Sequence, residues 1–155
     1  KIPVVTVWGI ADGRSLAAAL ILGAQGVMMA SRFVATKECE VHENVKQELL
    51  RRQEHETVIF GKSIGLQGRA LKNRVLEEVL AIEARGGGLE ELIPLLAGPR
   101  IREAWEKGDV DYAPMMVGQS IGLIRDIPTC RELIERMAAE AGEHLKRACR
   151  LTGSI

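Results

Sequence analysis

Trp8-Gly9-Ile10-Ala11-Asp12-Gly13 and, further along, Gly23-Ala24-Gln25-Gly26-Val27-Met28-Met29-Ala30-Ser31-Arg32-Phe33 decide the fold of this chain. Each stretch contains a turn of small residues at the end of an apolar run. The first run, Pro3-Val4-Val5-Thr6-Val7-Trp8, is short, β-branched and nearly continuous, the pattern of a buried parallel strand. Residues 14–22 read as a helix that stops at Gly23. Asp12 suits an N-cap, and Asp12-Gly13 suits a turn equally well. Residues 25–30 form a second apolar run. Strand, helix and strand within about 30 residues make a βαβ unit.

A βαβ unit sets the C-terminal ends of its parallel strands side by side. Here a Gly-rich turn leaves one end and a small-residue turn leaves the other, so backbone N–H groups gather at one place. Barrels of alternating strands and helices hold phosphate there. Backbone amides and a helix N-terminus favour an anion, and small residues let the backbone approach it closely. A plain turn that needs Gly only for its dihedral angles is the alternative for either turn alone. There is no G-x-G-x-x-G pattern, which excludes a Rossmann fingerprint.

The 155 residues suit one domain, and 46% hydrophobic content supplies a core. Lys and Arg (21) balance Asp and Glu (21), which argues against nucleic acid as a partner. The 3% aromatic content argues against base- or sugar-stacking surfaces. Cys39, Cys130 and Cys149 are odd in number and widely spaced, which speaks against a disulfide framework or a zinc site and for a reducing cytoplasm. No apolar run has membrane-spanning length, and no signal-peptide pattern opens the chain. Lys1 leads straight into a strand, as expected of a chain that begins inside a larger protein, or of a trimmed or processed one.

Beyond Phe33 the composition becomes more polar. Residues 40–54 are charged and helical, with Val41, Val45 and Leu49 on one face. A short strand is expected at 57–60, a Gly-rich stretch at 61–68, and helices at 72–84, 89–96 and 99–107. Residues 114–124 are apolar with two glycines. Asp126 or Thr129 caps a last helix whose apolar face is Leu133, Met137, Ala141 and Leu145.

Residues 3–34 resemble the seventh and eighth strands of nitronate monooxygenases and of the related flavin-dependent enoyl-acyl-carrier-protein reductases. Those families carry a Gly-Gly-Ile-Ala-Asp-Gly turn and a Gly-Thr-Arg-Phe turn. The resemblance continues through Ala35-Thr36-Lys37-Glu38-Cys39, His42-Glu43-Asn44, Arg69-Ala70-Leu71-Lys72-Asn73 and Val117-Gly118-Gln119-Ser120. It implies an α/β fold, the C-terminal part of an FMN-binding TIM (β/α)8 barrel with a small inserted α/β domain. Residues 1–34 would supply the last two barrel strands, 35–112 the inserted domain and 113–155 the C-terminal barrel helices.

By the same resemblance the activity is FMN-dependent oxidation of an alkyl nitronate with O2, in a cytoplasmic enzyme. The FMN site would take in Trp8, Gly9, Ile10, Ala30, Ser31 and Gln119. An FMN- and NAD(P)H-dependent enoyl-thioester reductase and a non-catalytic remnant without flavin are the alternatives. A partial barrel has open sheet edges, so the partner is an N-terminal half or a second copy. This chain has Trp8 and Ala30 where relatives have Gly, Met28 where they usually have Gln, and Ser31 for Thr. The Trp8 indole would either crowd the phosphate or point outward, and Ala30 would matter only at positive φ.

No catalytic residue is assigned. The Gly-Gly-His segment of these families is absent, and His42, His55 and His144 read as surface or capping residues. Cys39 has no evident base or positive setting. Glu77-Glu78 and Glu90-Glu91, being adjacent, point different ways around a helix. Gln119 and Ser120 stand in an apolar stretch and suit either a turn or the site.

Overall fold

The computed structural model describes residues 2–153; Lys1, Ser154 and Ile155, the ends of the first and last predicted segments, lie outside them. The βαβ unit is present as β1 (Val5–Val7), α1 (Gly13–Ile21) and β2 (Gly26–Met28), with the strands parallel and Val5, Thr6 and Val7 opposite Gly26, Val27 and Met28. Asp12 caps α1 in a capping box: its carboxylate accepts the Ser15 amide while the Ser15 hydroxyl accepts the Asp12 amide.

The expectation that the first strand is buried is corrected. Val5 is 55% exposed, and Val4, Val7 and Met28 are exposed with it. Strand character follows from the β-branched sequence, but burial requires layers on both faces. Among the described residues β1 pairs only with β2.

Four-residue helix α2 (Ser31–Val34) follows β2, and α3 (Glu43–Arg51) buries Val45 and Leu49 as its spacing predicts. A second sheet pairs β3 (Thr57–Phe60) antiparallel with β4 (Gly68–Leu71). β4 is absent from the sequence reading, because Gly68-Arg69-Ala70-Leu71 has little β-branched character. Residues 115–117 run along its free edge: Leu71 N–H donates to Met115 O and Val117 N–H to Arg69 O.

Against this sheet pack α4 (Arg74–Ala84), capped by Asn73, and α5 (Leu89–Leu96), around Val75, Leu76, Val79 and Leu92. Helix α6 (Gly98–Lys107) ends at Gly108 in the left-handed region. Helix α7 (Cys130–Leu151) starts at Thr129, which forms a capping box with Glu132, and it lies against α1. Leu133, Met137 and Ala141 are buried on it. A separate core joins Ala11, Leu49, Leu71, Met115 and Ile124, drawing on all three predicted segments.

Candidate functional site

The register that sets Val7 opposite Met28 brings the two turns out of the sheet at the same end. On one side Trp8 (φ 72°) and Gly9 (φ 74°) are consecutive left-handed residues. On the other, Ala30 has φ −118° and leads into α2. The Cβ of Ala30 therefore costs nothing, whereas that of Trp8 sits where L side chains are disfavoured by about 1–2 kcal/mol. Trp8 is 78% exposed as a residue, so most of its surface lies open to solvent.

A cleft of about 260 Å³ opens between these turns and the small sheet. Trp8, Gly9, Ile10, Ala30 and Ser31 line it from the strand ends, and Gly68, Arg69, Met116, Gly118 and Ser120 from the other side. Five of the six predicted residues thus come together. Gln119 does not: it is exposed and its neighbours Gly118 and Ser120 line the cleft instead. Ser31, almost buried, ties the sides together, its hydroxyl accepting the Gly118 N–H at 3.0 Å.

The amides at the start of α1 are already engaged within the chain. The amides of Ala11 and Asp12 go to the Ser15 hydroxyl, that of Ser15 to Asp12, and that of Gly13 to the Glu140 carboxylate. The expected contribution of this helix N-terminus is therefore corrected: protein oxygens occupy it. The amides of Gly9, Ile10, Ala30 and Ser31 have no acceptor among the described residues. Among the described residues no carboxylate lines the cleft, and the one formally charged side chain in its lining is Arg69, whose guanidinium donates to Thr57 Oγ1 at 2.8 Å. A rim of donors around apolar Val7, Met28 and Met116 suits a molecule with an anionic end and an apolar body. Sequence reading placed Arg69 in a motif but not in the cleft, because nothing local says that β4 faces the strand ends.

A second cavity, about 280 Å³, is lined by Asp12, Arg32, Arg125, Asp126, Arg136 and Glu140. Arg32 is 2% exposed, and Asp126 accepts from both Arg32 (2.7 Å) and Arg136 (2.6 Å). The hydrogen bond from Arg136, and the charge of Arg32 with it, hold the Asp126 carboxyl below the usual carboxylate range. This network ties α2 to the start of α7.

None of the three histidines lines the cleft. His42 Nδ1 accepts the Asn44 N–H as a cap, His55 is exposed in a 3-10 turn, and His144 lies on α7. No helix among the described residues is long and apolar enough to cross a membrane.

Residues 1–140 match the family model described as nitronate monooxygenase. The chain belongs to the nitronate monooxygenase family. Within curated relatives it is 31% identical to (3aS,4S,5R,7aS)-5-hydroxy-7a-methyl-1-oxo-octahydro-1H-indene-4-carboxyl-CoA dehydrogenase of Rhodococcus jostii, over 90% of this chain and 50% of that protein. It is 28% identical to a probable nitronate monooxygenase of Staphylococcus saprophyticus, over 95% of this chain and 41% of that one. In structure it is similar to FabK from Thermotoga maritima, with TM-score 0.89, 34% identity, and coverage of 96% of this chain and 47% of that chain. Nitroalkane oxidase from Streptomyces ansochromogenes aligns with TM-score 0.76 and 27% identity, over 96% and 42%. The chain spans about half the length of the curated relatives it matches. Its mixed α/β arrangement fits part of the barrel of this family.

Proposed function

We propose that this chain holds the phosphate end of FMN in a flavin oxidoreductase, and that the whole enzyme oxidises an alkyl nitronate with O2. One observation carries the cofactor assignment. Two strand-end turns whose amides have no acceptor among the described residues line a cleft that, among the described residues, has no carboxylate in its lining. That donor set fits a phosphate monoester.

The amides of Gly9, Ile10, Ala30 and Ser31 would hold the phosphate, with Trp8 at the cleft mouth and Gln119 at its edge. Bound FMN supplies the redox chemistry, taking electrons from the substrate and passing them to O2. The protein's part here is to bind and orient. Ser31 fixes the spacing of the cleft walls through Gly118, and the apolar residues keep water away from the bound molecule. No residue of this chain is assigned as general base.

In this reading residues 1–34 are the last two barrel strands with their helix, 35–112 the inserted domain, and 113–155 the return to the barrel. The exposed apolar face of β1 and β2 is where an N-terminal half or a second copy would pack.

A second reading, an FMN- and NAD(P)H-dependent enoyl-thioester reductase, is favoured by the likeness to a carboxyl-CoA dehydrogenase. Turnover of a nitronate with O2, set against a crotonyl thioester with NADH, separates the two in the full-length protein. Nitronate consumption alone supports the first, and thioester reduction alone the second. FMN binding, followed by quenching of flavin fluorescence with Trp8→Gly alongside, tests the cofactor assignment. Absence of binding in both proteins would overturn it, and binding only by Trp8→Gly would show the indole blocking an intact site.

A further inference from the structure

Arg69 is the cation of the cleft. Its backbone is held on both edges, by pairing of β4 with Ile59 of β3 and by the Val117 N–H that its carbonyl accepts. Its guanidinium is partly buried and donates to the Thr57 hydroxyl at 2.8 Å. No carboxylate lies within ion-pair distance of it among the described residues. A guanidinium has five N–H donors in a planar fork. One neutral acceptor leaves most of them free of protein partners among the described residues, and the half-buried charge has no carboxylate to answer it.

Half-buried Arg100 also lacks a carboxylate partner, but it donates to the Tyr112 and Pro94 carbonyls and stacks on the Tyr112 ring, outside the lining of either cavity; other arginines have carboxylates. Arg32 and Arg52, for example, have carboxylate partners at 2.7 Å. Around Arg69 the cleft lining holds no carboxylate among the described residues, only neutral groups: Gln67, the Ser31 and Ser120 hydroxyls and the backbone of Gly9, Ile10 and Ala30. A cleft with one guanidinium that has no carboxylate partner, lined otherwise by neutral polar and apolar groups, is complementary to an oxyanion with several oxygens and more than one negative charge.

Building on the FMN assignment above, we propose that Arg69 is the cationic partner of the FMN phosphate, with Thr57 positioning its guanidinium. The main-chain amides alone supply partial charges; Arg69 supplies the full one. Because Arg69 belongs to the β3–β4 sheet and the amides to the β1–β2 turns, the phosphate joins the two sheets across the cleft. FMN affinity and the seating of the small sheet on the strand ends are then one equilibrium.

The test compares FMN with riboflavin, which lacks the phosphate, on the full-length apoprotein. Dissociation constants come from flavin fluorescence for wild type, Arg69→Lys and Arg69→Gln. The wild type is expected to prefer FMN, and Arg69→Gln to lose about 10- to 100-fold of FMN affinity, the span of a charge-assisted hydrogen bond. Riboflavin affinity should stay unchanged, which also shows that the variant is folded. Arg69→Lys should fall between, and raising the salt should weaken FMN binding more in wild type than in Arg69→Gln. Unchanged affinity for both FMN and riboflavin in Arg69→Gln overturns the role of Arg69 and leaves the phosphate site standing. Equal loss of both ligands overturns it as well, making Arg69 a structural residue. A wild type that does not distinguish FMN from riboflavin overturns the phosphate site itself, and this proposal with it.

Discussion

The backbone N–H of Gly13 donates to the Glu140 carboxylate at 3.1 Å, so the N-terminus of α1 is completed from α7. The two helices touch there so closely that a Cβ on Gly13 would clash with Glu140 Cβ and meet Ala141 N at 2.8 Å. Gly13→Ala must therefore push the helices apart, at a cost of about 1–3 kcal/mol by the usual scale of overpacking. Gly142, inside α7, has nothing within 4 Å of a Cβ. Gly142→Ala should stabilise by about 0.5–1 kcal/mol through helix propensity. Urea midpoints of the two variants should move in opposite directions; a shift of the same sign would contradict the packing described.

Trp8 is the one non-glycine among the described residues with positive φ. Since the residue is largely exposed, Trp8→Gly gives up little burial and relieves a backbone penalty. The expected gain is about 1 kcal/mol, after the entropy that glycine itself costs. Thermal unfolding reads this directly. A lower melting point would mean that contacts of the indole outweigh the strain.

Ser31→Ala leaves the Gly118 N–H without its acceptor in a part-buried position. The loss should be about 1–2 kcal/mol. Ser31→Thr keeps the hydroxyl and should recover most of it. Chemical denaturation of the three proteins checks the order, and equal stability of Ala and Ser would show that water replaces the bond.

Asp126 is held below the usual carboxylate range, first by Arg136. A depressed folded value stabilises the fold fully above the unfolded pKa, about 3.9, and the contribution is lost as the pH falls through the lowered value. Asp126→Asn removes the carboxylate partner of buried Arg32 and should cost about 1–3 kcal/mol at neutral pH. The gap to wild type should close as the pH drops below about 4. A gap that stays constant in acid would show that the carboxylate charge contributes nothing.

Much of the fold was legible because it rests on local rules. Asp12 and Thr129 each cap a helix within their own first turn, and Val45 with Leu49 marks one face of α3. The two site turns could likewise be read from Gly9 and from the small residues after Met29. What failed was long-range. Val5 was taken as buried on its own character, although burial depends on what lies across the sheet. The helix α1 terminus was offered to an anion, although a residue more than a hundred positions away had already taken it.

The sequence by itself determined most of the helices, the βαβ unit, the Asp12 cap and the family, since these depend on neighbouring residues and on motif spacing. Only the tertiary structure decided which walls face the cleft. It brought Arg69 and Gly118 to the strand-end turns and left Gln119 outside, because those distances are set by the β4 edge on residues 115–117 and by Ser31 bound to Gly118. Contacts of that separation leave no periodic mark in a single chain.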